Sequence, residues 1–534
     1  MPGSLVHRFL FIALVLATVA PSLHAQDSLV ALEIRARIEQ LRATGTLRVA
    51  GENLTQGAAL AALYEQRAFM PAWTDAAACA DLLAAAADLA RDGLDPLDYH
   101  GDAIRSHAAL VRAPSADREA ELDLLRSHAL LRMADHLVHG KAPATPPPPD
   151  AQAAARQAGQ LLATGRPGSA VLGLRPGHFV YRGLMDALDA LRAVEREGGW
   201  PVIPAGPTMR RDSIDPRVPL LRHRLRIAGD LVADDAAGGH RLDVPLERAV
   251  RSFQHRHGLN EDGVVGPATL AELNVPVSGR IAQVRTSLER VRWIAPRLGD
   301  DYVAVNIAGA VAWYVRGGTV VFESRVIVGA PYTRTPIFSA SMRYIDLNPT
   351  WTVPPGIVGE VLDHIRRDPS YLQRNGMRVL DASGRTVDAS RIDFSRYSAR
   401  TFPWVFRQDP GPLNPLGVIK FMFPNDHNVY LHDTPSRDLF ERDQRLFSHG
   451  CIRLQDPIRL AELILADLGG WDRDALQQAI ATGRNRTVHL ARPLPVHVLY
   501  WTASADLHGE LHFHRDVYDR DADLLTALDA PPRR

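Results

Sequence analysis

Two stretches carry residue types able to do covalent chemistry. They are Asn428-Val429-Tyr430-Leu431-His432-Asp433-Thr434 and, a loop later, Ser448-His449-Gly450-Cys451-Ile452-Arg453. A free thiol is only a few per cent ionised near neutrality. A neighbouring imidazole can take its proton and then stabilise the thiolate as an ion pair. Side chains on a strand alternate faces, so Asn428, Tyr430 and His432 are predicted to share one face while Val429 and Leu431 point to the core. Imidazole and phenol then stand side by side in a cleft. The 15 residues between His432 and Ser448 are enough to bring Cys451 back beside them. Gly450 lets the backbone approach closely, so the amides of Gly450 and Cys451 can face a developing oxyanion, with the Tyr430 hydroxyl as a further donor.

Zinc is the first competing chemistry, because His427, His432, His449 and Cys451 are all ligand types. His427 and His432 are an odd number of positions apart, so one strand would send them to opposite faces. No Cys-x-x-Cys pair completes a site, and neither a metal nor any other cofactor is expected. A papain-like cysteine peptidase places Cys before His in the chain, whereas here His432 comes first.

These residues need a scaffold, and the sequence divides into three parts that could supply one. Residues 26–205 are predicted helical, with apolar residues at three- and four-residue steps in Leu29 to Leu41, Leu82 to Ala90 and Leu122 to Val138. Pro143 to Pro149 reads as a stiff linker or loop, and Asp95-Pro96 as a turn. Residues 214–276 predict three short helices. The first is Val218 to Ile227, and the second Leu246 to His257, with Asp243 as N-cap and Gly258 as stop. The third opens at Pro267. From 281 to 534 the period becomes strand-like. Gly317-Gly318 makes a hairpin between Trp313-Tyr314-Val315 and Thr319 to Phe322, and further strands are expected at Val326 to Val328, Gly417 to Met422, Thr487 to Leu490 and Val496 to Trp501. Residues 352–412, mixed and rich in Pro, Gly, Ser and Arg, interrupt this pattern as an inserted cap. His508, His512 and His514 are expected on a solvated hairpin turning at Gly509. The predicted fold class is therefore multidomain α+β, a helical scaffold and a three-helix module preceding a mostly β catalytic domain.

Composition limits the setting. Lys+Arg and Asp+Glu are both 61, so the chain lacks the basic excess that wraps nucleic acid, and 46% hydrophobic residues excludes global disorder. Residues 1–25 read as a secretory signal peptide. His7 and Arg8 precede an apolar run of 12 residues from Phe9 to Ala20, shorter than the roughly 20 a spanning helix needs, with Ala25 before a cleavage point at Gln26. An uncleaved inner-membrane anchor is the other outcome of that pattern. The two cysteines, Cys79 and Cys451, would ordinarily be bridged in an oxidising compartment. Cys79 lies in Ala-rich helical sequence and Cys451 beside His449 and Gly450, which favours a free, reactive Cys451.

The pattern His432, spacer, Ser448-His449-Gly450-Cys451 resembles the signature of the L,D-transpeptidase catalytic domain. Arg453 stands where many members have Asn, and is similar to the large periplasmic type. So are Asp92-Gly93-Leu94-Asp95-Pro96, Leu288-Glu289-Arg290-Val291-Arg292-Trp293 and Asn348-Pro349-Thr350-Trp351. Ala249 to Gln254, Gly258-Leu259, Asp262-Gly263 and Val265 to Thr269 resemble the three-helix peptidoglycan-binding module. The resemblance implies a periplasmic enzyme that forms 3→3 cross-links in peptidoglycan. Cys451 would attack a tetrapeptide stem donor, His432 would act as base and then acid, and the amine of a second stem would accept the acyl group. Ser448, His449, Arg453 and Trp351 would contact substrate. Carbapenems would be covalent inhibitors, and other cell-wall enzymes its partners. An L,D-carboxypeptidase or endopeptidase using the same acyl-enzyme, and a wall-binding scaffold without catalysis, are the alternatives.

Overall fold

The computed structural model describes residues 22–109, 115–142, 150–232 and 239–532, with side chains from 27 onward. The apolar run Phe9 to Ala20 and the Pro143 to Pro149 stretch lie outside the described residues. The chain forms two compact units. The first joins the residues up to Arg196 with Ile281–Pro296 and the residues from Asp521 on, and the second contains Glu197–Arg280 and Arg297–Arg520.

The first unit is helical. It contains α1 (Ser22–Thr44), a small hairpin of β1 (Leu47–Val49) and β2 (Glu52–Leu54), α2 (Gly57–Gln66), α3 (Ala76–Asp88), α4 (Gly101–Ala109), α5 (Ala116–His139), α6 (Ala151–Ala163), α7 (Pro167–Leu172) and α8 (Phe179–Arg196). The core lies around α5, whose Leu124, Leu125, Leu130 and Leu137 are buried. Cys79 is a free thiol in α3.

Two of the motifs that prompted the family resemblance meet inside this unit. Glu289 and Arg292 are fully buried and paired at 2.6 Å. Arg292 also donates to the Asp92 carbonyl (2.9 Å) and the Tyr181 hydroxyl (2.8 Å), and that hydroxyl donates to the Asp92 carboxylate (2.8 Å). Arg175 caps the same carboxylate at 2.7 Å. These charges are buried because each is paired and hydrogen-bonded.

The second unit opens with α9 (Val218–Ile227), α10 (Val244–Arg256) and α11 (Pro267–Leu273), three helices around Leu221, Leu246, Val250 and Phe253. Asp243 caps α10 by accepting from the Leu246 amide, and Gly258 takes the left-handed conformation that ends it. Next is α12 (Val277–Ile294), whose residues from Ile281 group with the first unit.

The β domain contains β3 (Tyr302–Asn306), β4 (Val311–Arg316), β5 (Thr319–Gly329), β6 (Phe338–Leu347), the cap with β7 (Trp351–Thr352), α13 (Val358–Arg367), α14 (Tyr371–Arg374), β8 (Met377–Leu380), β9 (Thr386–Val387) and β10 (Val405–Gln408), then β11 (Ile419–Met422), β12 (Leu431–His432), β13 (Leu446–Ser448), β14 (Ile452–Leu454), α15 (Pro457–Leu465), α16 (Arg473–Ala481) and β15 (Arg486–Leu499). A hairpin of β16 (Ala503–Ala505) and β17 (Leu511–Phe513) follows, and α17 (Asp521–Asp529) belongs to the first unit. The nine-stranded sheet runs β13-β5-β14-β12-β11-β6-β15-β3-β4, and β4 also pairs with β5, so the ladder closes on itself. Gly317 and Gly318 both have positive φ, as a two-residue hairpin turn requires.

The strands expected separately near 319–328 and 487–501 are each one long strand, β5 and β15, because a register shift absorbs the break in alternation. The closed sheet encloses Val305, Val328, Ile345, Phe421, Leu431, Ile452 and Val498, with Leu460 and Leu476 of α15 and α16 added to the same core. The cap leaves after β6 and returns at β11, which pair directly. It has a four-stranded sheet, β7-β10-β8-β9, and its own core of Val361, Leu362, Ile365, Val379 and Phe406. Gly509 turns the β16–β17 hairpin as expected, but His512 and His514 are half-buried rather than solvated. Burial pushes the His514 ring down to about 3.

Candidate active site

The sheet register brings the chemistry-bearing residues onto one face. β12 pairs in parallel with β14, setting His432 opposite Arg453, and antiparallel with β11, setting it opposite Lys420. Lys420 in turn faces Asp346 on β6. The Ile452 amide donates to the Tyr430 carbonyl at 3.0 Å, which continues the ladder to Tyr430 and Cys451. Cys451, the residue just before β14, and His432 of the adjacent β12 are thus diagonal neighbours, side chains on the same face. Residues so related sit roughly 7–8 Å apart at the backbone, within reach of an imidazole. The alternate positions Phe421, Leu431 and Ile452 are fully buried in the core below. The expected alternation holds from Val429 to His432. Asn428 departs from it, with φ of 54°, and ends a turn held by the Asn425 side chain.

The Cys451 sulfur donates to the Asn428 carbonyl at 3.7 Å, and the Tyr430 amide and hydroxyl would both donate to a thiolate there. Burial is the main influence and pushes the thiol up. His432 is held by its Nδ1, which donates to the Asp433 carbonyl at 2.5 Å. A carbonyl only accepts, so the proton sits on Nδ1 and Nε2 carries the free lone pair. Burial, then Arg453, pushes the ring down to about 3. The resting pair is therefore a neutral thiol beside a neutral imidazole rather than the ion pair the sequence suggests. Tyr430 and His432 pack edge to face with ring centroids 5.7 Å apart.

The loop before Cys451 is tightly fixed. The Ser448 hydroxyl, buried, donates to the Cys451 carbonyl and accepts from the Gly450 amide at 3.0 Å. Ser448 thus bonds within the loop, and the Gly450 amide is engaged before any substrate arrives. Gly450 has φ of 110°, which only glycine adopts freely. From the other side Thr335 donates to the Gly450 carbonyl (2.9 Å) and accepts from the Gly329 amide (2.9 Å). The Tyr518 hydroxyl accepts from the Thr335 amide (3.1 Å) and donates to the Gly329 carbonyl (2.6 Å).

The remaining residues named from sequence fall around this centre. His449 Nε2 meets Glu360 of cap helix α13 at 3.0 Å, linking the cap to the loop before Cys451. Trp351 is half-buried in β7 and packs on the cap core. Arg453 lies in the row with His432, its Nε buried with no hydrogen-bond partner among the described residues. The grouping of metal-capable side chains found among the described residues, Asp506, Glu510 and His512, includes neither His432 nor Cys451. Sequence reasoning missed Lys420, Thr335, Tyr518 and Glu360. A sign of Lys420 existed in Ile419-Lys420-Phe421, where a cation alternates with two core residues. The strand pairing that brings it to His432 was not legible.

Comparison with known proteins gives three matches along the chain. Residues 300–488 match the family model described as the L,D-transpeptidase catalytic domain, 58–188 that of a scaffold domain, and 215–273 that of a domain described, provisionally, as peptidoglycan-binding. A Haemophilus influenzae protein whose name assigns it provisionally to the L,D-transpeptidases is 32% identical over 226 residues, which is 42% of this chain and 45% of that protein. The aligned region thus spans less than half of that relative. Among solved structures, an L,D-transpeptidase from Xylanimonas cellulosilytica is 17% identical with a TM-score of 0.18, covering 55% of this chain and 98% of the other. A structure titled as the Ldtfm–avibactam carbamoyl enzyme is 15% identical with a TM-score of 0.19, covering 38% and 50%.

Proposed function

Because the chain belongs to the L,D-transpeptidase family, with scaffold and peptidoglycan-binding domains beside the catalytic one, we propose that it forms 3→3 cross-links in peptidoglycan through an acyl-enzyme on Cys451. The observation that carries this reading is the shared face of His432 on β12 and Cys451 at the start of the adjacent β14, with the ring locked by the Asp433 carbonyl so that Nε2 is free to accept.

In this account the sulfur attacks the carbonyl between the L-centre of meso-diaminopimelate and the terminal D-Ala of a tetrapeptide stem. His432 Nε2 takes the thiol proton as the S–C bond forms, because neither group is charged at rest. The oxyanion is met by the Cys451 amide and the Tyr430 hydroxyl, and the Gly450 amide joins if it releases Ser448. The C–N bond then breaks, and His432 returns the proton to departing D-Ala. An amine of a second stem then attacks the thioester, the C–S bond breaks as the new C–N bond forms, and His432 Nε2 takes the amine proton and passes it to the departing sulfur. Trp351 and the cap, joined to the loop through Glu360 and His449, would bind the donor and keep water out, which favours transfer over hydrolysis. Ser448 would support substrate binding by holding the loop, and Arg453 by meeting a stem carboxylate. The working compartment would be the periplasm, with residues 1–25 as export signal. The limits we assign are a scaffold over 26–205, a module over 214–276 and a catalytic domain over 281–534.

Incubating the exported protein with purified tetrapeptide muropeptides and weighing the products tests this. Cross-linked dimers are expected. Tripeptides alone would make it a carboxypeptidase, and unchanged muropeptides a binder. Carbapenems should add covalently at Cys451, and an unmodified Cys451 peptide after prolonged exposure would contradict that.

A further inference from the structure

One row on the polar face of the closed sheet runs Asp346, Lys420, His432, Arg453 across β6, β11, β12 and β14, each residue opposite the next. Two cations thus flank the imidazole. Among the described residues the Arg453 Nε has no hydrogen-bond partner, and it is shut off from solvent. Enclosed guanidinium groups are ordinarily paired. Lys420 is half-buried as well, its ammonium 4.0 Å from the centre of the Tyr430 ring, and burial pushes it down. Both cations act on Cys451.

The nearby carboxylates are otherwise engaged. Asp346 accepts from the Thr487 hydroxyl at 2.6 Å. Asp433 accepts from the Val418 amide at 2.9 Å and from Arg437 at 3.0 Å. The centre therefore carries two positive charges and a neutral thiol–imidazole pair, with Asp346 as the negative group that acts on Lys420.

We infer that Lys420 and Arg453 form a carboxylate-binding pair on either side of His432, which selects donor stems with a free carboxylate beside the scissile bond over the same stems carrying a carboxamide. The inference rests on the acyl-transfer reading above and adds its charge selectivity and Lys420. Arg453 can take a carboxylate through two parallel N–H bonds, and Lys420 adds a point charge. A carboxamide would leave both enclosed cations uncompensated, so the discrimination arises from the site's own burial.

Iodoacetate and iodoacetamide test this on the full chain, independently of any transpeptidation. Each forms the same Sγ–CH2 bond with loss of iodide, and they differ only in carboxylate against carboxamide. The rates of modification of the Cys451 peptide, followed by mass spectrometry, give an acetate-to-acetamide ratio. Free cysteine is the reference. The ratio is the readout because removing a cation also alters the thiol's own ionisation, which affects both reagents alike.

The expected ratio for Cys451 is at least tenfold above that of free cysteine, with iodoacetate saturating. Lys420→Gln and Arg453→Gln should each lower it at least threefold, and Arg453→Lys should restore part of it. A ratio equal to that of free cysteine, or one unmoved by both glutamine variants, overturns the inference. Release of D-Ala from a carboxylate donor and its carboxamide twin should follow the same order. If the alkylation ratio behaves as expected while neither donor releases D-Ala, the carboxylate pair stands and the acyl-transfer reading falls.

Discussion

In the proposed mechanism His432 serves as a base because it is kept uncharged. Its enclosure in the sheet, reinforced by Arg453, holds the ring near 3, far below an ordinary imidazole. The sign follows directly: as pH falls through 6.5 the ring stays neutral and able to accept, and it is lost as a base only when pH approaches its own value. Acylation kcat/KM should accordingly stay level from pH 7 to pH 5, and a halving near pH 6.5 in a pH–rate profile would contradict this. The thiol shifts the other way, so the rate of Cys451 alkylation by iodoacetamide should rise through a midpoint above the roughly 8.5 of a free cysteine. His432 and Cys451 were legible in the sequence because their residue types and spacing suit one chemistry. Lys420 was not, since its meaning comes from a strand pairing that the linear order does not state.

The elements act by fixing the loop before Cys451. Thr335, fully buried, bridges β5 and the Gly450 carbonyl, and Tyr518 locks the same segment from behind. Orienting that carbonyl also orients the Cys451 amide of the same peptide plane, which the proposed mechanism uses as an oxyanion donor. Thr335→Val removes both hydroxyl bonds and leaves a buried amide and a buried carbonyl short of a partner. A loss of about 1–3 kcal/mol in stability is expected, with acylation kcat falling by about tenfold while KM changes little. Denaturant unfolding and steady-state kinetics check the two parts, and an unchanged kcat would show that the loop holds its geometry without Thr335.

In the helical unit, Glu289→Ala would strand Arg292 in the interior. It should cost about 3–5 kcal/mol, as breaking one partner of a buried pair does, while Arg35→Ala, at an exposed pair on α1, should cost under about 1 kcal/mol. The helices around these sites were readable from apolar periodicity and caps such as Asp243. The single long strands β5 and β15 were not, because a register shift breaks the alternation that sequence reading relies on.

At the scale of the whole molecule, acid acts on both units through buried histidines held neutral, and the helical unit holds a cluster of three. In the helical unit His100, His128 and His136 are buried and held neutral, chiefly by desolvation and then by Arg132. His128 Nε2 accepts from the Thr55 amide, so its Nδ1–H donates to His100 at 2.8 Å, and His100 donates to Glu52 at 3.0 Å. Their folded values lie below the unfolded 6.5, so the unfolded chain binds more protons between that value and the folded one of about 4 for His100. Stability is therefore full above 6.5 and falls as pH drops toward 4. The thermal midpoint of the helical unit should move down between pH 7 and pH 4.5, and by less in His128→Gln. A midpoint independent of pH over that range would contradict the tautomer chain. The division into a helical part, a three-helix module and a β domain with a cap was legible from changes of period and from turn residues. The grouping of Ile281–Pro296 and the residues from Asp521 with the helical unit was not, as it depends on contacts between distant segments.

The most direct test of the account is the intact mass of the protein after brief mixing with a tetrapeptide donor and no acceptor. An added acyl tripeptide is expected, localised to the peptide containing Cys451, with one D-Ala released per chain and neither event in Cys451→Ala. Turnover that persists in Cys451→Ala, or D-Ala release with no acyl group ever found on the sulfur, would contradict it.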